Sequence, residues 1–440
     1  MVNYGLTGVR PRVVIVGGGF GGVNAAKALK HARVDVLLID RINHYLFQPL
    51  LYEVATGTLT PGDIAAPIRA MFRRQQNVTV LMGEVTGVNP AAKTLTVAAM
   101  NEPIAFDYLV LATGARDNFF NHPEWQGSAR SLKSLRDAID LREQILKSFE
   151  LAELADDDAS ADWLTTFVIV GGGPTGVELA GTLAEMFEFT FKNNFRRLHP
   201  DEARILLVEA GPRILPAFDP ALAQQVHRKL ENMGVEMRVN SPVEAIDDQG
   251  AIIKGERVLS RNVIWAAGVR ASPASDWLGV PADRSGRVIV NPDLSIPGHP
   301  DIFVVGDTAH TPQGDKPLPG VAQVAIQGGR HVGAVIKAHV ERYPAPPPFV
   351  YHDKGSMATV SRWYAALELG NVKTAGLIGK LGWAFIHILY LSDMQNRIRT
   401  FIQWTWANLF SARGSRYITR PFTRGELASV DTPPPTANDG

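Results

Sequence analysis

Val13-Val14-Ile15-Val16-Gly17-Gly18-Gly19-Phe20-Gly21-Gly22 stands near the start of the chain, and Phe167-Val168-Ile169-Val170-Gly171-Gly172-Gly173-Pro174-Thr175-Gly176 repeats its pattern near the middle. Each copy is an apolar run of strand length, then a glycine turn, then a stretch of helical character, which in the first copy extends through Leu29. A second apolar run follows each, residues 34–39 ending at Asp40 and residues 205–208 ending at Glu209. A lone G-x-G-x-x-G is a weak signal. Strand, glycine turn, helix and a second strand ending in a carboxylate make the specific context of a dinucleotide-binding unit. Gly17 and Gly171 permit the tight turn, Gly19 and Gly173 let backbone approach a pyrophosphate, and Gly22 and Gly176 let helix and strand pack closely. Phe20, Gly21, Pro174 and Thr175 complete the two turns, whose helix N-termini offer N–H groups to phosphate. Asp40 and Glu209 are placed to accept from ribose hydroxyls. The acid at 209 favours NADH, because a 2′-phosphate would meet its charge; Arg213 lies close enough in sequence to weigh the other way. The spacing from Gly171 to Glu209 exceeds the usual ~20 residues, and predicts a helix prolonged through Phe195 and Arg196 with a loop at His199-Pro200-Asp201.

The fold class is therefore α/β, with two Rossmann-type units inside 440 residues, a length that supports two or three domains. The motif order assigns 1–120 with 290–350 to the first unit and 160–289 to the second, leaving 351–425 as a C-terminal region and 426–440 as a disordered tail. The acidic stretch 153–162 is expected as a solvated loop, and the proline-rich run 344–348 as a boundary. Hydrophobic residues make up 45% and charged residues 20%, which predicts a globular protein. Formal net charge is +0, so nothing points to nucleic acid. There is no cysteine, which removes disulfides, thiolate metal sites and redox-active thiols and fits a reducing compartment. The run at 13–16 lacks the flanks of a secretory signal. The histidines have no metal-ligand spacing, and no metal is expected; no Ser-His-Asp arrangement stands out.

Three further strand ends fall where backbone would pass close to a cofactor. Residues 108–111 lead into Ala112-Thr113-Gly114, and 263–265 lead into Ala266-Ala267-Gly268. Residues 302–305 lead into Gly306-Asp307, a carboxylate placed for the ribityl chain of a flavin. Two dinucleotide units in one chain imply electron transfer between two bound nucleotides.

This order of segments resembles that of the two-dinucleotide-binding flavoproteins, in which the first unit binds FAD and the second the nicotinamide. The members that use cysteine are excluded. Among the others the chain resembles the type II NADH dehydrogenases, the non-pumping NADH:quinone oxidoreductases, over residues 12–420. The matching stretches are Tyr45-Leu46-Phe47-Gln48-Pro49-Leu50-Leu51-Tyr52-Glu53-Val54-Ala55, Gly176-Val177-Glu178-Leu179-Ala180-Gly181, Gly211-Pro212-Arg213-Ile214-Leu215-Pro216, Ala322-Gln323-Val324-Ala325-Ile326-Gln327 and Asp353-Lys354-Gly355-Ser356-Met357-Ala358, with the hydrophobic C-terminus. One departure is Ser361-Arg362, where members commonly carry Gly-Arg. The resemblance implies hydride transfer from NADH to FAD, then two electrons to a membrane quinone. It adds Gln48, Val85, Ala322 and Gln323 to the flavin contacts, and Glu178, Ala267 and Gly268 to those of NAD. A reductase of a ferredoxin or rubredoxin is the nearest rival, and a flavoprotein with an interaction role, like apoptosis-inducing factor, is another.

Four residues are candidates for the chemistry. Glu178 resembles the family's glutamate near nicotinamide and flavin; the bland alternative is a carboxylate stabilised by the helix N-terminus. Gln323 and Gln327, four apart, share one helix face, beside which the family places the quinone headgroup; two solvated polar residues are the alternative. The helix behind Pro319 and Gly320 would aim its dipole at the flavin. Lys354 is either a flavin or quinone contact or a surface lysine. The C-terminus is expected to dock on a membrane without spanning it. Residues 381–392 form an uncharged run of only twelve, against the ~20 needed to span. Ile398, Phe401, Ile402, Thr405 and Leu409 share one helical face, Trp404 and Trp406 are expected at headgroup level, and between Asn371 and Gly425 there are eight Lys or Arg and one acid, Asp393. The expected location is the cytoplasmic face of the cell membrane, or the inner mitochondrial membrane surface in a eukaryote. A second copy of the chain is another candidate partner for the stripe.

Overall fold

The computed structural model describes residues 10–314, 316–410 and 413–428. The chain packs as two compact units: up to Leu46 with Ala66–Arg116 and Val269–Asp353, and Phe47–Ala65 with Asp117–Gly268 and the chain from Lys354. These bounds follow packing, whereas the motif bounds at 120, 160, 290 and 350 follow the order of the fingerprints.

In the first unit a six-stranded sheet runs Ser295–Ile296, His299–Val304, Tyr108–Leu111, Arg12–Val16, Asp35–Asp40, Val78–Met82. All pairs but the first are parallel. Val14 lies between Leu37 and Leu109. A parallel sheet is covered on both faces, which is why these strands are unbroken apolar runs; Val13, Val14 and Ile15 are fully buried. The helix Phe20–Ala28 packs on the helix Ala322–Glu341. A Cβ on Gly329 would stand 2.2 Å from the Gly21 carbonyl oxygen, so the two backbones are in direct contact.

The second unit repeats the plan with five parallel strands, in the order Ala129–Ser131, Asn262–Trp265, Phe167–Val170, Ile205–Val208, Val235–Arg238. Val168 lies between Leu206 and Val263, the counterpart of Val14. A three-stranded antiparallel sheet (Val243–Asp247, Gly250–Ile253, Glu256–Leu259) closes one side of the core through Ile246, Ile253 and Val258.

Two local expectations are corrected here. The helix Pro174–Glu185 does not run through Phe195 and Arg196; it widens into a π-helical turn, Met186–Thr190, and ends. The wider turn brings Phe187 and Phe191 against Phe149, with ring centroids 4.8 and 4.7 Å away, and Asn193 at φ 63° turns the chain. The acidic stretch is not a loop either. The helix Leu135–Leu154 ends within it and Asp158–Thr165 begins, because the Asp157 side chain accepts from Ser160 N at 2.8 Å and caps it.

The C-terminal part of this unit is an antiparallel sheet (Ser356–Ser361, Tyr364–Leu369, Val372–Gly376) followed by helices Leu377–Tyr390 and Met394–Phe410. No helix among the described residues is long and apolar enough to cross a membrane. Beyond residue 412 the chain is strapped to the helix Leu135–Leu154. Arg420 pairs with Asp140 and Glu143, Lys147 pairs with Glu426 at 2.9 Å, and Arg142 lies over the Tyr417 ring. Residues 424–428 form a helical turn, so the expected disorder does not hold from 426; the ion pair of Glu426 orders it. The tail from 429 lies outside the described residues.

Candidate functional site

Both glycine turns have the same steric logic. Gly17 has φ +104° and Gly171 φ +114°, and a Cβ on Gly22 or Gly176 would stand 1.9 Å from the carbonyl oxygen of Gly17 or Gly171. Gly19 and Gly173, by contrast, face open space, with nothing within 4 Å of an added Cβ. They cap their helices with no side-chain hydrogen bond. First-turn N–H groups are thus left for a ligand anion, the cradle a pyrophosphate needs.

The two strand-end carboxylates hold these turns in shape. Asp40 accepts from Gly18 N at 2.5 Å and Ile42 N at 2.8 Å. Glu209 accepts from Gly172 N and Gly211 N, both at 2.7 Å. A carboxylate has further lone pairs, so each can also receive a ribose hydroxyl. Arg213 donates to the carbonyls of Leu215, Phe218 and Pro216, between 2.8 and 3.2 Å, and is tied into its own loop.

In the first unit, Gly17, Asp40, Val85 and Thr113 line one cleft. Thr113, between Ala112 and Gly114, shares a hydrogen bond with Ser272 at 2.5 Å, and Thr308 donates to the Gly114 carbonyl at 3.2 Å. Gly306 has φ +69°, and a Cβ on Gly320 would stand 3.3 Å from the Asp307 carboxyl. Ala322 and Gln323 open the helix Ala322–Glu341. Gln327 is engaged on both edges of His352, donating to its carbonyl at 2.9 Å and accepting from its N–H at 3.0 Å. The remaining candidates belong to the second unit. Gln48 is in a short turn, Gln48–Leu50; Ala267 and Gly268 follow their strand, with the Phe120 ring packed on Gly268; Lys354 is exposed.

Glu178 is not in the first helical turn but the second, and is 7% exposed. It accepts from Thr359 N at 3.3 Å. A helix N-terminus would lower its pKa; burial instead raises it to about 8. Around it the second unit gathers further buried ionisable groups. Lys380 donates to Thr359 Oγ1 at 2.9 Å and lies 3.9 Å from the Trp383 ring centre, and burial lowers its pKa. Glu53 receives the Trp404 indole N–H at 2.5 Å and the Tyr52 hydroxyl at 3.3 Å, and burial raises its pKa. Arg413 donates to the carbonyls of Thr56 and Thr182, both at 3.1 Å. Glu53, Glu185, Lys380 and Arg413 form the polar end of a cavity of about 560 Å³. Leu381, Phe385, Ile388, Phe401 and Leu409, from the two C-terminal helices, form its apolar walls.

Comparison with known proteins agrees with this geometry. The sequence profile of the pyridine nucleotide-disulphide oxidoreductases matches residues 11–329. Two type II NADH:quinone oxidoreductases of Mycobacterium tuberculosis, NdhA and Ndh, are 45% and 43% identical, over 94% and 96% of this chain and 90% and 93% of theirs. The chain belongs to the type II NADH:quinone oxidoreductases. The solved structure of NDH2 from Plasmodium falciparum in complex with NADH has the same fold, with TM-score 0.84 at 21% identity over 92% of this chain and 99% of that one. With no cysteine, this type II NADH:quinone oxidoreductase has no disulphide chemistry of the kind the broader family is named for.

Sequence reasoning missed Glu53, Lys380, Trp404 and Arg413 as site residues. Glu53 lay inside a matching stretch but was given no role. Lys380 stands one residue before the uncharged run that begins at Leu381. Trp404 was expected at the membrane surface; it is 8% exposed and turned inward by its bond to Glu53. The signal for Lys380 was available, since Lys380, Trp383 and His387 recur at helical spacing and share one face.

Proposed function

We propose that the chain is an FAD-dependent NADH:quinone oxidoreductase whose acceptor enters the cavity of the second unit. The observation that carries this is the cavity's asymmetry: apolar walls from two helices, and a polar end of Glu53, Glu185, Lys380 and Arg413. A quinone has the matching shape, an apolar tail and a headgroup with two carbonyl oxygens. The turn at Gly17–Gly22 with Asp40 suits the pyrophosphate and ribose of FAD, and the turn at Gly171–Gly176 with Glu209 suits those of NADH. Bound FAD supplies the redox chemistry, taking a hydride and releasing two electrons. The chain's own residues bind and orient, and Glu178, neutral at pH 7, can hold a proton beside Lys380. Stopped-flow spectroscopy tests the reading: NADH should bleach the flavin and a soluble quinone should restore it. Restoration by a ferredoxin but not by a quinone would overturn it.

The same helices support a membrane-surface location. Their outward faces carry Ile378, Ile398 and Ile402, each more than half exposed and off the cavity wall, while Lys380, His387, Asn396 and Thr400 turn inward. This is the reverse of a helix that faces water. Docking on lipid buries the outward face and lets a lipid-soluble quinone reach the cavity without crossing water. The basic excess contributes less than its count suggests, because Arg413 is buried and Lys380 half-buried at the cavity, Lys373 pairs with Asp219 and Arg420 with Glu143. NADH is supplied from the aqueous interior, so the docked face is the cytoplasmic one, or its counterpart in a mitochondrion. Ile378→Glu with Ile398→Glu, both off the cavity wall, should keep FAD and lose liposome binding; undiminished binding would move the docking face elsewhere.

A further inference from the structure

The cavity wall holds two carboxyl groups, and their surroundings differ. Glu185 faces Arg362, accepting from its backbone N at 2.8 Å with the guanidinium at 3.5 Å, so it has a charged partner. Glu53 is 5% exposed, and its hydrogen bonds come from two neutral donors, the Trp404 indole and the Tyr52 hydroxyl. Glu178, which the sequence singled out, is not on the wall. We propose that Glu53 is the acid of this cavity that gives a proton to the acceptor's oxygen, with Lys380 stabilising the carboxylate left behind. The inference rests on the quinone reading above.

The proton balance calls for such a group. One turnover takes a hydride from NADH and one proton from solvent, and leaves NAD+ and a hydroquinone. Two O–H bonds form on the acceptor: bound flavin would supply the electron pair and the proton that arrived with the hydride, and the Glu53 O–H bond breaks to supply the other; solvent then restores the Glu53 proton. Burial favours the neutral acid before the step. The charged or titratable groups facing Glu53 are Lys380 and Arg413, which favour the carboxylate, with Tyr52 and Glu178 beside them. Trp404, on the helix Met394–Phe410, donates to either protonation state and fixes the carboxyl at the wall.

The test compares acceptors that need protons with one that does not. Glu53→Gln keeps the shape and an oxygen for the Trp404 N–H, and cannot release a proton. In the full-length holoenzyme, flavin reduction by NADH and reoxidation by ferricyanide, a pure electron acceptor, should stay within about twofold of wild type. Reoxidation by a soluble quinone should fall on the order of 10²-fold, the usual worth of a general acid. Equal quinone rates in variant and wild type, or an equal fall with ferricyanide, would overturn the inference. If Glu53→Gln does not retain FAD, Glu53→Asp decides: its quinone reoxidation should follow a displaced pH profile, and an unmoved profile overturns the inference. If wild-type flavin is not reoxidised by quinone at all, the quinone reading falls and this inference with it. If only the variant comparison fails, the quinone reading stands.

Discussion

Replacing Glu209 with Gln separates the second carboxylate's hold on its turn from the role in NADH binding proposed above. In the fold it accepts from Gly172 N and Gly211 N, both at 2.7 Å. Gln offers one oxygen, so one N–H keeps a partner and the other meets an amide NH2. Hydrogen bonds to a charged group contribute about 1.5–3 kcal/mol each, so the variant should unfold about 2 kcal/mol more easily. On the NADH placement proposed above, the ribose hydroxyls would lose a charged acceptor of similar worth, and 1.4 kcal/mol is tenfold in affinity. The KM for NADH should therefore rise roughly 10- to 100-fold. NADPH should gain little, because Arg213 is held by three carbonyls of its own loop and is not released to meet a 2′-phosphate. The assay is steady-state NADH and NADPH oxidation with ferricyanide as acceptor, which leaves quinone out of the measurement. A thermal melt and FAD content on the same samples account for the stability loss. Wild-type kcat/KM equal for the two cofactors would refute the reasoning, as would a variant whose preference is unchanged.

Three other perturbations follow from the same geometry. Glu178, raised by burial to about 8 from 4.5, favours folding most below about pH 4.5 and loses that contribution as pH rises through about 8; Glu178→Gln should flatten the melting temperature over that window and abolish any activity limb near pH 8, and an identical pH–stability curve would exclude the buried acid. Gly181→Ala places a Cβ 1.9 Å from the Val360 carbonyl oxygen; it should cost about 3 kcal/mol or more in denaturant unfolding as the helix Pro174–Glu185 is forced off the strand Ser356–Ser361, and a neutral result would mean that this contact is looser than it looks. Gln327→Leu removes both hydrogen bonds to His352 at about 1 kcal/mol each, so it should destabilise by about 2 kcal/mol. A denaturant melt checks this, and an unchanged midpoint would mean that the two bonds contribute nothing to stability.

The sheets and glycine turns were legible because they depend on local rules. A parallel strand buried on both faces needs a continuous apolar run, and Val13–Val16 and Phe167–Val170 comply. A turn whose Cβ would strike a carbonyl needs glycine, and Gly17, Gly22, Gly171 and Gly176 comply. The strand-end acids could be placed from spacing, although their grip on the turns, through Gly18 N and Gly172 N, could not. The helix limit at Glu185 was missed because apolar periodicity continues through Phe187 and Phe191; the π-helical turn changes the period without changing the composition. The cap at Asp157 was missed because an acidic run is most often a solvated loop.

The cavity was illegible for a different reason: its polar end is assembled from residues hundreds of positions apart, such as Glu53 and Trp404. Its walls come from helices whose polarity is reversed. The rule that apolar stripes face a core gives the right face of Ile398, Phe401, Ile402 and Leu409 and the wrong direction, unless lipid is the neighbour. Once outward means lipid, the inward residues Lys380, His387, Asn396 and Trp404 become the interior of the protein. This coupling also decides how docking must be tested. Deleting the chain from Asn396 removes the donor to Glu53 and the two Arg413 contacts along with the apolar face. A buried acid stripped of its partner destabilises the cavity itself. Loss of quinone turnover in the truncated protein would then say nothing about lipid, whereas charges placed on Ile378 and Ile398, which are exposed and off the cavity wall, change the docking face and leave the cavity as it is.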